Sequence, residues 1–525
     1  MSGGDLTSGG PQATDSVPRR FAVTLFANVV KLAIGVTTAS VVPRALGPRD
    51  YGGFQFLTAA ARTSRSFLDF GASTAAYTHN AKHRASGAAA VLYARWLLIQ
   101  IAILLLVILL ADRLGLAPQI WPEQRVFYVW IITGLEWLTF LGTFLLQLGD
   151  AKAETVRVQK IMLVTQLVRL ALFLGLYALG ALALGTFVVA SYVAAAITVV
   201  GVIGGFVLPK RRQYFQPAAS SAEQRQCRAF FLAYARPLAV LSVAVFAHDF
   251  FDRWLLQTAS GSEQQGYFAL GAQWSGIVLL FTTSALNIVW REFSAANAAN
   301  DRQRLRSVFE KTTRWLFLVS CVMGFLLAFN AGSFVHGLAG ARYASAQPVT
   351  TLMAFYPVYQ TLGQLNGVFF YATERVTLYR NLTIGALGVG VALSYVLVAP
   401  TGWLVPGLQL GAMGLAIKQV AINLVSVWVL HAFNARYLGL RIIRQLGHQL
   451  ATATVVGAGT TAVFFAVTVL GPANVWARFA CMGLVQAALL GAVLYRFPGL
   501  LGLTPSEMRA YWSRGRRGLR QMVAR

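Results

Sequence analysis

Residues 21–42 read FAVTLFANVVKLAIGVTTASVV. The run is long enough to cross a hydrocarbon core about 30 Å thick as one helix. Its only charge, Lys31, sits near the middle. A cation at that depth costs roughly 2.5–3.5 kcal/mol on insertion scales, so it normally faces a bundle interior or an aqueous cavity. Outward from this run the pattern repeats. Arg62 and Arg65 interrupt the next apolar run, and Arg169, Arg236, Arg253 and Lys418 recur in later ones. Seven such residues describe a polytopic protein with a cationic inner surface, which suits an anion.

The 525 residues are 57% hydrophobic and 12% charged, where a soluble chain carries about 25% charge. Mean hydropathy is +0.60. Apolar runs place helices near 21–42, 54–77, 88–111, 125–147, 156–179, 182–208, 229–256, 265–289, 314–334, 347–372, 377–399, 408–431, 448–470 and 474–495, about 14 in all. With the N-terminus inside, the two tails and the even-numbered loops hold about 30 of the 44 Lys and Arg, and the odd-numbered loops about 6. That asymmetry puts both termini in the cytoplasm. The net charge of +26 is spread over many short loops, which argues against nucleic acid as a partner. The first run is too long for a cleaved signal peptide and leads directly into further spans. Cys227, Cys321 and Cys481 show no pairing or metal spacing and read as small apolar fillers.

Residues 1–20 read as a disordered cytoplasmic tail and 496–525 as a basic cytoplasmic tail. The longest polar interval between spans, 209–228, reads as a cytoplasmic linker between an N-lobe (21–208) and a C-lobe (229–431), with two further helices in 448–495. The halves resemble one another. RALGPRDYGGFQFLTAA follows the first span, and RWLLQTASGSEQQGYFALGAQ follows the seventh. In both, a basic residue near a helix end leads through a glycine turn to paired aromatic and glycine residues opening the next helix. LLQLGDAKAETVRVQK and GVFFYATERVTLYRN match more loosely at the exits of spans four and ten. Two six-helix repeats in the same orientation around a central site are a common transporter plan.

Arg44-Ala-Leu-Gly-Pro-Arg-Asp-Tyr-Gly-Gly-Phe, followed by Leu68-Asp69-Phe70-Gly71, resembles the O-antigen and exopolysaccharide flippases of the multidrug/oligosaccharidyl-lipid/polysaccharide (MOP) exporter superfamily. Both the R-x-L-G-x-x-x-Y-G turn and the D-x-G of the second helix are present. In the second half Gly266-Tyr267-Phe268 keeps only the end of the turn. The resemblance covers residues 20–500. It implies an all-α polytopic fold of the MATE-like type, with two pseudo-symmetric six-helix lobes plus two C-terminal helices. It also implies a bacterial inner-membrane transporter, not an enzyme, whose cargo is an undecaprenyl-pyrophosphate-linked oligosaccharide.

Within helix 2, Arg62, Arg65 and Asp69 share one face. They form either a self-neutralising cluster or a cavity wall with net positive charge, and the arginine fork suits phosphate oxygens. Lys31 pairs with Asp69 or Glu136, or contacts pyrophosphate. Arg169 and Lys418 either snorkel or join the cavity. Arg236 precedes Pro237, where a kink is expected, and either gates the cavity or reaches headgroups. His248, Asp249, Asp252 and Arg253 cluster on helix 7, with Asp249 and Arg253 spaced for an i, i+4 pair. They read as a structural pair or periplasmic gate, or as a relay for H+ or Na+, a role open to Glu136 also.

The stretch 291–314 reads as a basic amphipathic anchor on anionic lipid, and Gly201 with Gly205 as a close-packing GxxxG. No P-loop, HExxH or GxSxG occurs. The expected function is flipping of the lipid-linked oligosaccharide by alternating access, without a cofactor. Expected partners are that lipid, the membrane lipids and a polysaccharide polymerase or glycosyltransferases. A lipid II flippase, a multidrug or cation antiporter of the same superfamily, and a membrane scaffold for glycan synthases are the alternatives.

Overall fold

The computed structural model describes residues 17–82, 87–152, 154–214, 221–472, 474–501 and 506. Every regular element among them is a helix. Among the described residues nine helices are long and apolar enough to span a membrane: Ala88–Arg113, Val126–Ala151, Val156–Ala178, Leu184–Val207, Arg302–Phe329, Val376–Val398, Gly411–Tyr437, Ile442–Leu470 and Trp476–Arg496. Two longer helices, Val17–Asp69 and Ser221–Ala298, each bend once and supply two arms. With the pair Gln347–Met353 and Tyr356–Ala372, these helices correspond to the fourteen runs read from the sequence of a multi-pass membrane protein.

The two bends are the internal repeat made physical. Val17–Asp69 breaks at Gly47 (φ 78°, ψ 169°) and Ser221–Ala298 at Gly261 (φ 79°, ψ 179°). Both angles lie in a region that glycine adopts and other residues resist. Five residues after each bend comes a second glycine with no room for a side chain. A Cβ on Gly52 would lie 1.7 Å from the Ser262 carbonyl oxygen, and one on Gly266 would lie 2.1 Å from that of Pro48. The two bends therefore cross backbone to backbone. Tyr51 and Tyr267 meet the buried Tyr343 edge-on, at 6.4 and 6.3 Å between ring centroids. Gln273 accepts a hydrogen bond from the Tyr51 hydroxyl at 2.7 Å.

Packing divides the chain at Trp254. One compact unit contains Met1–Leu46 and Gly53–Trp254; the other contains Gly47–Gly52 and Leu255–Arg525. The seventh span thus packs with the first unit, beyond the 209–228 interval that reads as a linker. The reason is apolar: Cys227 and Phe231 are buried against Ala75, Ala76, Tyr93, Leu97 and Phe144. Of that interval, Arg211–Tyr214 is helical, residues from 221 belong to the long helix, and 215–220 lie outside the described residues. Most of both tails also lies outside them, and residues 17–20 continue the first helix.

One expectation is corrected by local packing. The stretch 291–314 is a helical turn in the second unit, not one continuous amphipathic helix. The chain reverses at Asn300 (φ 54°), and the Asp301 carboxylate caps the next helix by accepting from the Arg304 N–H at 2.9 Å. Phe293, Leu305 and Phe309 are buried in the unit's core, and Arg304 pairs with Glu292 at 2.7 Å. Pro237 lies within the Ser221–Ala298 helix. The GxxxG does permit close packing, since Ile161 lies against Gly201 and Gly205.

Candidate functional site: a polar cavity in the first unit

The site begins where a membrane helix stops. Val17–Asp69 ends at Asp69, Phe70 and Gly71 take positive φ (45° and 78°), and Ala72–Lys82 starts afresh. A break in a spanning helix exposes backbone N–H groups that lipid cannot satisfy. Asp69 answers this as a cap. Its Oδ2 accepts from the Ser73 N–H at 3.2 Å and the Ser73 hydroxyl at 2.7 Å, and its Oδ1 accepts from the Tyr93 hydroxyl at 2.7 Å. The D-x-G of the sequence is therefore a capped discontinuity. The glycine supplies the turn and the buried aspartate supplies the acceptors.

One and two turns earlier on the same helix stand Arg65 and Arg62, both facing the Val126–Ala151 helix. Arg62 reaches Glu136, Nε to Oε2 at 3.4 Å, but its side chain is 63% exposed. Arg65 lies flat over the Phe140 ring, 3.5 Å from the centroid, with Asp69 acting on its charge. Stacking of this kind holds a guanidinium in place without consuming its hydrogen-bond donors. The two arginines share a helix face as expected, yet their partners come from another helix.

A cavity of about 440 Å³ opens on this face. Its lining includes Arg62, Thr63, Ser66, Phe67, Asp69, Ser73 and Thr74, with Ser242, Phe246 and Asp249 opposite. Phe67 and Phe246 stand 4.8 Å apart, and Phe246 stacks on Phe250 at 5.5 Å. The wall combines hydroxyls, aromatic faces, one exposed arginine and two aspartates, so it is mixed in charge and not uniformly cationic. Asp69 is held by Ser73 and Tyr93. Asp249 is half exposed, and its Oδ1 lies 2.8 Å from His248 Nδ1, where an i, i+4 pair with Arg253 is the sequence expectation. His248 Nε2 lies 3.8 Å from Asp252.

The other sequence candidates lie apart from this cavity or outside the described side chains. Lys31 and Arg236 are on described helices, but their side chains are outside the described residues. Arg169 is half-buried on the Thr155–Ala178 helix, and its Nε has no hydrogen-bond partner among the described residues. Lys418 is fully buried at 0% exposure within the second unit. Sequence reasoning missed Tyr93, Ser73, Phe140 and the Phe67–Phe246 pair. The position of Ser73, two residues past the D-x-G, could have marked it as a capping partner. The aromatics carry no local signal.

No protein-family model and no curated protein sequence matches the chain. Solved structures do. A lipid II flippase, MurJ, in an inward closed conformation superposes with a TM-score of 0.65 at 11% identity, covering 91% of this chain and 99% of its own. An inward-facing multidrug resistance MATE family transporter of the MOP superfamily gives 0.58 at 15% identity, covering 81% and 99%. An outward-facing one gives 0.55 at 15%, covering 83% and 99%. The protein has the helical fold of the MOP-superfamily transporters.

Proposed function

We propose that this protein is a flippase that moves a polyprenyl-pyrophosphate-linked oligosaccharide across the bacterial inner membrane by alternating access, for surface polysaccharide synthesis. The observation that carries the reading is Arg62, an exposed guanidinium in a hydroxyl- and aromatic-lined cavity of a MOP fold. The guanidinium offers donors to phosphate oxygens. Thr63, Ser66 and Thr74 offer partners for sugar hydroxyls, and Phe67 and Phe246 offer apolar faces for sugar rings. Arg65, braced on Phe140, keeps a second positive charge close behind. The glycan itself comes from the resemblance of the R-x-L-G-x-x-x-Y-G turn. Both termini facing the cytoplasm and assembly beside glycosyltransferases or a polymerase belong to the same proposal.

A second reading, a cation or drug antiporter, draws on Asp249 and Asp69 at the same cavity. Substitutions separate the two. Arg62→Ala should lower surface glycan roughly tenfold to a hundredfold at normal protein level, the size of losing one charged hydrogen bond of about 1.5–3 kcal/mol. Arg62→Lys should retain part of it. Wild-type glycan in Arg62→Ala, together with loss of cationic dye efflux in Asp249→Asn, would favour the antiporter instead.

A further inference from the structure

A second cavity of the first unit, about 150 Å³, is lined by Ala88, Val91, Leu92, Arg95, Gln224, Cys227 and Arg228. It shares no residue with the larger one. Its two arginines come from different helices, Arg95 from Ala88–Arg113 and Arg228 from Ser221–Ala298. Arg95 sits two turns inside a spanning helix. Neither guanidinium has an ion-pair or hydrogen-bond partner among the described residues. One carboxylate, Glu223, stands beside the lining Gln224 on the same helix, and its charge acts on Cys227. Two guanidiniums lining one small space with a single carboxylate beside it leave a net positive charge that suits an anion.

The surroundings identify what carries that anion. From Arg95 an exposed apolar stripe continues along its own helix through Leu98, Ile103, Leu106 and Leu110. From Arg228 another continues through Leu232, Val240 and Val243. Leu98 and Leu232 are 63% and 59% exposed, which is ordinary for surface that meets lipid. Ala88, Val91 and Leu92 make the cavity's apolar side, and Gln224 adds an amide donor. A free inorganic anion has no use for such stripes, whereas a diacyl lipid has one chain for each.

We propose that Arg95 and Arg228 form a binding site for the phosphate of an anionic diacyl phospholipid, whose chains lie along the two stripes. The site does not depend on what the larger cavity carries. A basic pocket between spanning helices is a physically sound place for an anionic headgroup. The arginine fork matches phosphate oxygens bidentately.

Native mass spectrometry of the purified full-length protein tests this, with phosphatidylglycerol and phosphatidylcholine of identical chains as probes. Wild type should retain phosphatidylglycerol at least tenfold more tightly than phosphatidylcholine. The double variant Arg95→Gln/Arg228→Gln should lose that preference while keeping the wild-type unfolding midpoint, and each single variant should lose part of it. If the double variant does not fold, the single variants decide. Glycerol 3-phosphate, which has the phosphate but no chains, should not displace the bound lipid at equal concentration. Equal retention of the two lipids by wild type, an unchanged preference in the folded variants, or displacement by glycerol 3-phosphate would each overturn the proposal.

Discussion

Replacing Gly266 with alanine is expected to abolish folding of the second unit. The new methyl would lie 2.1 Å from the Pro48 carbonyl oxygen and 2.9 Å from its carbonyl carbon. These are backbone atoms of the first bend, which itself turns at Gly47, so no side chain can swing aside. Overpacking a core costs about 1–3 kcal/mol when neighbours can adjust. Here they cannot, and a cost above about 4 kcal/mol is expected. Gly52→Ala should behave alike, since its methyl would lie 1.7 Å from Ser262 O. Gly276→Ala on the same long helix is the control. A methyl there meets nothing within 4 Å, and alanine favours the helix by about 1 kcal/mol. Fluorescence-detected size exclusion should show no monodisperse peak for Gly266→Ala and a normal one for Gly276→Ala. A normal peak for Gly266→Ala would show that the bends do not cross this closely.

The second large effect belongs to Asp69. Asp69→Ala removes the cap of Ala72–Lys82 and leaves the buried Tyr93 hydroxyl without its acceptor. Losing a cap costs about 0.5–2 kcal/mol, and orphaning a buried hydroxyl adds about 1–3 kcal/mol. A combined loss of about 3 kcal/mol is expected, read as a clear fall in the thermal unfolding midpoint. Tyr93→Phe removes the orphaned partner as well, so Asp69→Ala/Tyr93→Phe should recover part of the loss. If Asp69 instead served only to neutralise Arg65, the second substitution would recover nothing.

These residues show how far the sequence carries. The helices that span by length and composition were legible because each is a hydrophobic run of sufficient length, and helix periodicity needs no tertiary knowledge. The repeat was legible too: GPRDYGG and GSEQQGYF align on the two glycines that bend and the two that cross. What the glycines touch was not legible, because Pro48 and Ser262 are more than 200 positions apart. At the cavity, the shared face of Arg62, Arg65 and Asp69 followed from helical spacing. Their partners did not, because Glu136, Phe140 and Tyr93 lie on other helices. At Asp249 the adjacent His248 lies 2.8 Å away, a neighbour that the i, i+4 rule does not address. The seventh span reads as the opening of a second lobe, but burial of Cys227 and Phe231 places it with the first unit. Such assignments depend on which apolar faces match, and no local pattern records that.

The central claim is that the Arg62 cavity carries a lipid-linked anionic glycan across the membrane. Its most direct test uses purified protein in sealed proteoliposomes loaded with a fluorescent polyprenyl-pyrophosphate oligosaccharide. A membrane-impermeant quencher then reports the fraction of lipid in the outer leaflet over time. The account predicts fast equilibration between leaflets with the wild-type protein, and a rate reduced roughly tenfold or more with Arg62→Ala at equal reconstitution. Equilibration no faster than in empty liposomes, or an Arg62→Ala rate equal to wild type, would contradict it.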